Sequence, residues 1–168
     1  YQDPDVVYAV SALGVHKSKN FGGSWQTIGI GTGWAFLSSS DVEVSQANPR
    51  FVWAGGRMTS TGDVFVSKNW GDSFSAVPDF ANLGYISGLY SHPTEDSTAY
   101  VLFSSFGTAK IIETKDLGAT WKDISGFPAS NVSGVSSNGF PNVPVYSLVV
   151  MPFDSDVIWA GTDIGLVE

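Results

Sequence analysis

Asp41 and Glu43, one residue apart, are the nearest this sequence comes to a catalytic pair. Side chains alternate along a strand, so the two carboxylates share one face and are placed to line a channel together. Paired carboxylates about 5 to 10 Å apart are what hydrolysis of a glycosidic bond requires. A solvated lining accounts for these two acids more simply. Asp79 and Asp163 fall in loop-like stretches, where an acid more often shapes a turn. No catalytic residue is assigned. His16 and His92 are far apart and have no ligand-spaced neighbour, which does not fit zinc. No acidic run has the spacing of a calcium loop. Gly29-Ile30-Gly31-Thr32-Gly33 lacks the Lys-Ser/Thr that a phosphate-cradling loop needs. The expectation is no metal and no cofactor.

The charge balance narrows the partners. Eight Lys and Arg stand against sixteen Asp and Glu, a formal charge of -8 over 168 residues. Nucleic-acid binding needs clustered Lys and Arg, so no such partner is expected. No apolar run approaches the roughly 18 residues of a membrane span. Cysteine is absent, which excludes a disulfide framework and a thiolate metal site. Nineteen Gly and eight Pro are spread along the chain and imply many short elements joined by turns.

Those elements repeat. Ser18–Trp25 reads SKNFGGSW, Ser67–Phe74 reads SKNWGDSF and Thr114–Trp121 reads TKDLGATW. A second phrase precedes each octapeptide, DPDVVYAV from Asp3, NPRFVWAG from Asn48 and a degenerate EDSTAYVL from Glu95, and it recurs as DSDVIWAG from Asp154. Its aromatic anchors are Tyr8, Trp53, Tyr100 and Trp159. Short β-branched and aromatic runs flank every turn, and no stretch carries helical periodicity. Four antiparallel strands repeating about every 45 residues fit one blade of a β-propeller. The chain is therefore expected to be all-β, one partial propeller over residues 1–168. It holds about three and a half blades in fourteen strands, at residues 1–29 (incomplete), 41–78, 86–125 and 146–168 (incomplete). Closing a ring takes four to eight blades, so the remainder of the propeller or another chain is expected to complete it.

Each residue type in the octapeptide has a structural use. Asn20, Asn69 and Asp116 can accept backbone N–H bonds and so mimic a turn. Gly22, Gly71 and Gly118 permit positive φ. Ser18, Ser67 and Thr114 can tie the strands, and Trp25, Phe74 and Trp121 can bury against a neighbouring blade. The octapeptides resemble the Asp-box (Ser/Thr-x-Asp-x-Gly-x-Thr-Trp) of the sialidase-like propeller superfamily, also called BNR repeats. The resemblance covers essentially the whole chain, and the phrase FPNVPVYSLVVMPFDSDVIWAGTDIGLVE looks like those of secreted bacterial members. It implies a hairpin between the third and fourth strands of each blade, on the face away from any active site. Two of the three boxes carry Asn, which suits hydrogen bonding and would spoil a required charge.

The superfamily contains sialidases, xyloglucan hydrolases, sortilin-type receptors and photosystem assembly factors, so fold does not give function. A sialidase site resembles an arginine triad with a Tyr nucleophile. This chain has only Arg50 and Arg57, and Arg50 follows Pro49 at a strand start. Loops on the face opposite the octapeptides vary, and variation on a repeated scaffold tends to mark its binding face. They carry Trp34, Phe36, Phe80, Tyr85, Phe127, Phe140 and Asn142, with Arg57 as a candidate cation. Flat aromatics among Gly, Ser and Asn suit a sugar or peptide surface. Trp34, Phe36, Arg57, Tyr85, Phe140 and Asn142 are the candidate binding residues. The expectation is a secreted or cell-surface segment that binds a glycan or protein rather than an enzyme. The alternative is part of a polysaccharide hydrolase whose catalytic acids lie partly elsewhere. Asn131-Val132-Ser133 has the form of a glycosylation sequon.

Overall fold

The computed structural model describes residues 5–30, 41–58, 64–78, 83–127 and 135–168. Among them the chain is all-β, with antiparallel strands and no helix. The first sheet holds β1 (Val7–Ser11), β2 (Gly14–Ser18) and β3 (Gln26–Ile28) in that order. The second holds β4 (Asp41–Val44), β5 (Val52–Gly55), β7 (Val64–Ser67) and β8 (Ser75–Ala76). The third runs β12 (Lys122–Asp123), β11 (Ile111–Thr114), β10 (Ala99–Phe103), β9 (Gly84–Ser91) and β6 (Arg57–Met58). The fourth holds β13 (Val145–Met151), β14 (Asp154–Thr162) and β15 (Gly165–Val167). These sheets are successive blades of a partial β-propeller, numbered here one to four. Their inner strands β4, β9 and β13 pack in sequence order.

Among the described residues fifteen strands are present, where the sequence implies fourteen. The additional one is β6, two residues from the loop after β5. It lies along the exposed edge of β9, pairing Arg57 with Tyr85 and Met58 with Gly84. An open inner-strand edge carries unpaired N–H and C=O groups, and this short segment satisfies some of them. A two-residue strand leaves no pattern in sequence.

The core lies between blades rather than within them. Val15, Ala54 and Phe65 join blades one and two, with Tyr8 and Phe74 packed against them. Trp53, Val66, Val101 and Ile112 join blades two and three. Tyr100, Ile111, Val145 and Ala160 join blades three and four. Central strands are covered on both faces, which is why VWAG and AYVLF are buried at every position. Each buried Phe there, such as Phe65 or Phe103, contributes about 1.5–3 kcal/mol.

The octapeptides form the hairpins β2–β3, β7–β8 and β11–β12, with one hydrogen-bond scheme. Oγ of Ser18 accepts from the backbone N–H of Asn20 and Gly22, at 3.3 and 2.8 Å. Ser67 and Thr114 repeat this with Asn69 and Gly71, and with Asp116 and Gly118. Oδ1 of Asn20, Asn69 and Asp116 accepts the N–H of Ser24, Ser73 and Thr120. Asn20 and Asn69 also donate Nδ2–H to the hydroxyls of Ser24 and Ser73, whereas Thr120 donates its hydroxyl to Asp116 Oδ2. A hydroxyl both donates and accepts, so either residue type closes the loop. The turn needs positive φ twice: at Gly22, Gly71 and Gly118, and also at Phe21 (54°), Trp70 (56°) and Leu117 (55°). Positive φ is uncommon outside glycine and costs roughly 1–2 kcal/mol. The turn-closing bonds Gly23 N–H to Asn20 O, Asp72 N–H to Asn69 O and Ala119 N–H to Asp116 O offset part of it.

The backbone N–H of Phe21, Trp70 and Leu117 donates to Asp5, Arg50 and Ser97 respectively, each just ahead of the second strand of the same blade. Hairpins and the repeated phrases therefore share one rim. Antiparallel connectivity puts the starts of β9 and β13, and the β10–β11 and β14–β15 turns, on the other.

Candidate functional site

The hairpin rim is tied up in joining blades. Tyr8 donates its hydroxyl to Trp70 O at 2.7 Å. Lys17, buried to 4 % exposure, donates to the same carbonyl and to Asp72 Oδ1 at 2.7 Å. The ammonium holds the Asp72 carboxyl below the usual carboxylate range. Burial, with Asp72 nearby, pushes the Tyr8 hydroxyl up to about 12. Arg50 sits 5.6 Å over the Trp70 ring and donates Nε–H to Lys68 O at 2.6 Å. Trp121 meets Trp53 of the preceding blade edge to face, ring centres 6.0 Å apart. Phe74 packs likewise onto the preceding blade, while Trp25 of blade one is exposed.

Asp41 and Glu43 do not line a channel as a free pair. Asp41 Oδ2 accepts the Leu89 N–H at 2.8 Å. Glu43 Oε1 accepts the N–H and hydroxyl of Ser91, at 3.1 and 2.7 Å. Both carboxylates are half-buried against β9 of the next blade and cap its edge donors. Burial pushes the Glu43 carboxyl up, against the Ser91 bonds that lower it. The alternation placed both acids on one face. What that face meets is set by blade packing, which alternation does not encode.

The opposite rim gathers exposed aromatics. Tyr85 begins β9, Phe106 tops the β10–β11 turn and Tyr146 begins β13, and all three are at least half exposed. The turn holding Phe106 bridges its neighbours. A Cβ on Gly84 would lie 3.0 Å from Ser105 Oγ, and Gly107 N–H donates to Asn142 Oδ1 at 2.9 Å. Beneath Phe106, Lys110 is fully buried, its ammonium 5.6 Å from the Phe106 ring centre and 5.2 Å from that of Phe127. It donates to Ser105 O. Desolvation pulls its pKa down to about 8. Desolvation, with the Asp163 carboxylate nearby, raises the Tyr146 hydroxyl.

Of the sequence candidates, Tyr85 stands on this rim. Asn142 is there as a clamp on the Phe106 turn. Phe140 is placed elsewhere, half-buried against the core between blades three and four. Arg57 pairs its backbone with Tyr85. Trp34, Phe36, Asp79, Phe80 and Asn131 lie outside the described residues. Phe106, Tyr146 and Lys110 escaped the sequence reading. Phe106 stands in SSFGT, a Ser/Gly setting like those searched, but in a turn between the second and third strands. Tyr146 lies in an alternating run that reads as strand alone.

No family model matches the sequence, and no curated protein does. Solved structures do match in fold. An ancestral GH74 enzyme superposes with a TM-score of 0.68 at 20 % identity, over 96 % of this chain and 21 % of that one. The GH74 xyloglucanase from Xanthomonas campestris gives 0.63 at 17 %, over 96 % of this chain and 27 % of that one. YCF48 bound to D1 peptide gives 0.50 at 16 %, over 94 % of this chain and 56 % of that one. This chain thus spans about a fifth to a quarter of the two GH74 proteins. What the likeness carries at such identities is the architecture: this chain is a β-propeller segment.

Proposed function

We propose that this chain is a binding and scaffold module, part of a secreted or cell-surface propeller of the Asp-box kind, holding a glycan or protein ligand on the rim opposite the hairpins. The observation that carries the reading is the trio Tyr85, Phe106 and Tyr146, exposed on one rim, where the Phe106 turn approaches Gly84 through Ser105 and bonds Asn142 through the Gly107 N–H. Exposed aromatic faces with adaptable polar neighbours suit a sugar ring or an extended peptide. A glycan array and a peptide display on the intact chain test it. Ligands retained by the wild type and lost in Tyr85→Ala support it, and no ligand of either kind refutes it.

A second reading is a segment of a polysaccharide-degrading glycoside hydrolase. The xyloglucanase among the structural neighbours favours it. The best acids here, Asp41 and Glu43, speak against it because their oxygens already accept backbone donors. Release of oligosaccharide from a β-glucan, abolished by Asp41→Asn, would establish this second reading instead.

A further inference from the structure

A fully buried lysine lies beneath the rim opposite the hairpins. Lys110 directly precedes β11, and its backbone is fixed on two sides. Its N–H donates to Ser125 Oγ at 2.8 Å, and its carbonyl accepts the Phe103 N–H at 3.0 Å. The side chain therefore leaves from a rigid root. Its ammonium donates to Ser105 O and lies 5.2 Å from the Phe127 ring centre and 5.6 Å from that of Phe106. Phe127 is wholly buried, whereas Phe106 is 68 % exposed. The cation thus joins a ring of the interior to a ring of the rim.

Burying an ammonium without an anion is costly, and an apolar side chain of similar length would fill the space without that cost. Among the described residues no carboxylate pairs with Lys110. What the charge supplies, and an apolar chain does not, is attraction for a carbonyl and for ring faces. The carbonyl, of Ser105, and the outer ring, of Phe106, both belong to the turn at 104–109. Asn142 holds the same turn from a later connection, through Gly107 N–H.

We infer that Lys110 is the positioning residue of this rim: its ammonium clasps the 104–109 turn against Phe127 and so presents the outer face of Phe106. The inference rests on the binding reading above only for what Phe106 is presented to. A clasp made by a charge holds while the charge lasts. Desolvation brings Lys110 from the ordinary 10.5 down to about 8. The surrounding elements bring little charge to it. The 104–109 turn and the 135–144 connection carry no titratable side chain. On β12, Lys122 is exposed and Asp123 Oδ1 already accepts from Ser125. Tyr100 on β10 answers to Glu113 on β11. Tyr85 and Tyr146, at the starts of β9 and β13, are half exposed, and Arg57 stands across the sheet on β6. The turn is therefore held at neutral pH and slackens from about pH 8 upward. Global stability moves the other way. A depressed folded value means a contribution gained as pH rises from about 8 towards 10.5, because the buried charge is relieved.

Carbon NMR relaxation on the 168-residue chain, from neutral to about pH 9.5, tests this without any ligand. The Lys110 Cε signal should titrate near pH 8, and in the same step the Phe106 Cα order parameter should fall from about 0.85 towards 0.6. Lys110→Met should show the lower order at every pH, with no step. Urea denaturation should show wild type gaining on Lys110→Met as pH rises through that window. Phe106 order unchanged through the Lys110 step, Lys110 titrating near 10.5, or Lys110→Met as ordered at Phe106 as wild type would each overturn the inference. Should Lys110→Met fail to fold, the wild-type titration alone decides. Failure here leaves the binding reading standing, and failure to find a ligand leaves the clasp standing.

Discussion

Tyr8 of the first blade lies across Gly71 of the second, so closely that a Cβ on Gly71 would fall 2.6 Å from Tyr8 Cε1. Gly118 stands in the same relation to Trp53, at 3.3 Å, and to Val77, at 2.7 Å. The octapeptide glycine therefore answers two demands, a left-handed backbone and the flat ring of the preceding blade. Gly139 separates them, because it has φ of 86° but nothing within 4 Å of an added Cβ. Gly139→Ala should cost about 1–2 kcal/mol from backbone strain alone. Gly71→Ala should cost about 2–4 kcal/mol, since overpacking adds to the strain. Urea denaturation of both, with Tyr8→Ala as partner in a double-mutant cycle for Gly71, separates the two terms.

Lys17 and Asp72 are unequal partners. Lys17 is buried and serves both Asp72 and the Trp70 carbonyl, while Asp72 is half exposed. Asp72→Asn should cost under about 1 kcal/mol, the scale of a solvent-screened pair. Lys17→Met should cost about 1–3 kcal/mol, because it removes both the ion pair and a charge-assisted bond to the Trp70 carbonyl, which keeps only the Tyr8 hydroxyl. Thermal melts at low and high salt check the ranking: both variants lose the same ion pair and should narrow their gap to wild type as salt rises, with Lys17→Met the weaker at either salt.

In the third hairpin, bonds from Thr120 and Thr114 hold the Asp116 carboxyl below the usual range. A depressed folded value means a contribution present above the unfolded value and lost as pH falls through the folded one. Asp116→Asn should match wild type at pH 7, because Thr120 can accept as Ser24 and Ser73 do. It should lose less stability than wild type below about pH 4, the ordinary carboxylate region. Acid titration followed by fluorescence measures this directly.

Glu43 runs the opposite way. Its folded value is raised by burial, so its contribution is greatest below the unfolded value and declines as pH rises through the folded one. Glu43→Gln keeps an oxygen for the Ser91 N–H and removes the buried charge. The variant should gain on wild type as pH rises above about 4.5, the usual glutamate region. Stability curves at several pH values check the sign, and Glu43→Ala, which leaves the Ser91 donor unmet, should be the weaker protein throughout.

How far the sequence was legible depended on whether the relevant contact was local. The octapeptide turn is closed by bonds within eight residues, so Ser18, Asn20 and Gly22 announce their roles directly. The bulky residues at positive φ do not, because Phe21 and Trp70 look like ordinary strand formers. The fate of Asp41 and Glu43 depends on β9, nearly fifty residues away, and no local pattern carries it. Two-residue β6 is invisible for a related reason, being held by the edge of another blade. On the rim opposite the hairpins, Tyr85 was legible as a loop aromatic, whereas Tyr146 was masked by strand alternation and Phe106 by a turn that closes against Asn142 from a later connection.

The central claim is that ligand recognition belongs to the rim opposite the hairpins. A glycan array and a peptide display probed in parallel with wild type, Tyr85→Ala/Tyr146→Ala and Phe21→Ala/Trp70→Ala test it most directly. The account predicts glycan or peptide signals from wild type that survive in the hairpin-rim variant and disappear in the Tyr85/Tyr146 variant. Signals lost only in the Phe21/Trp70 variant, or neither glycan nor peptide bound by wild type, would contradict it.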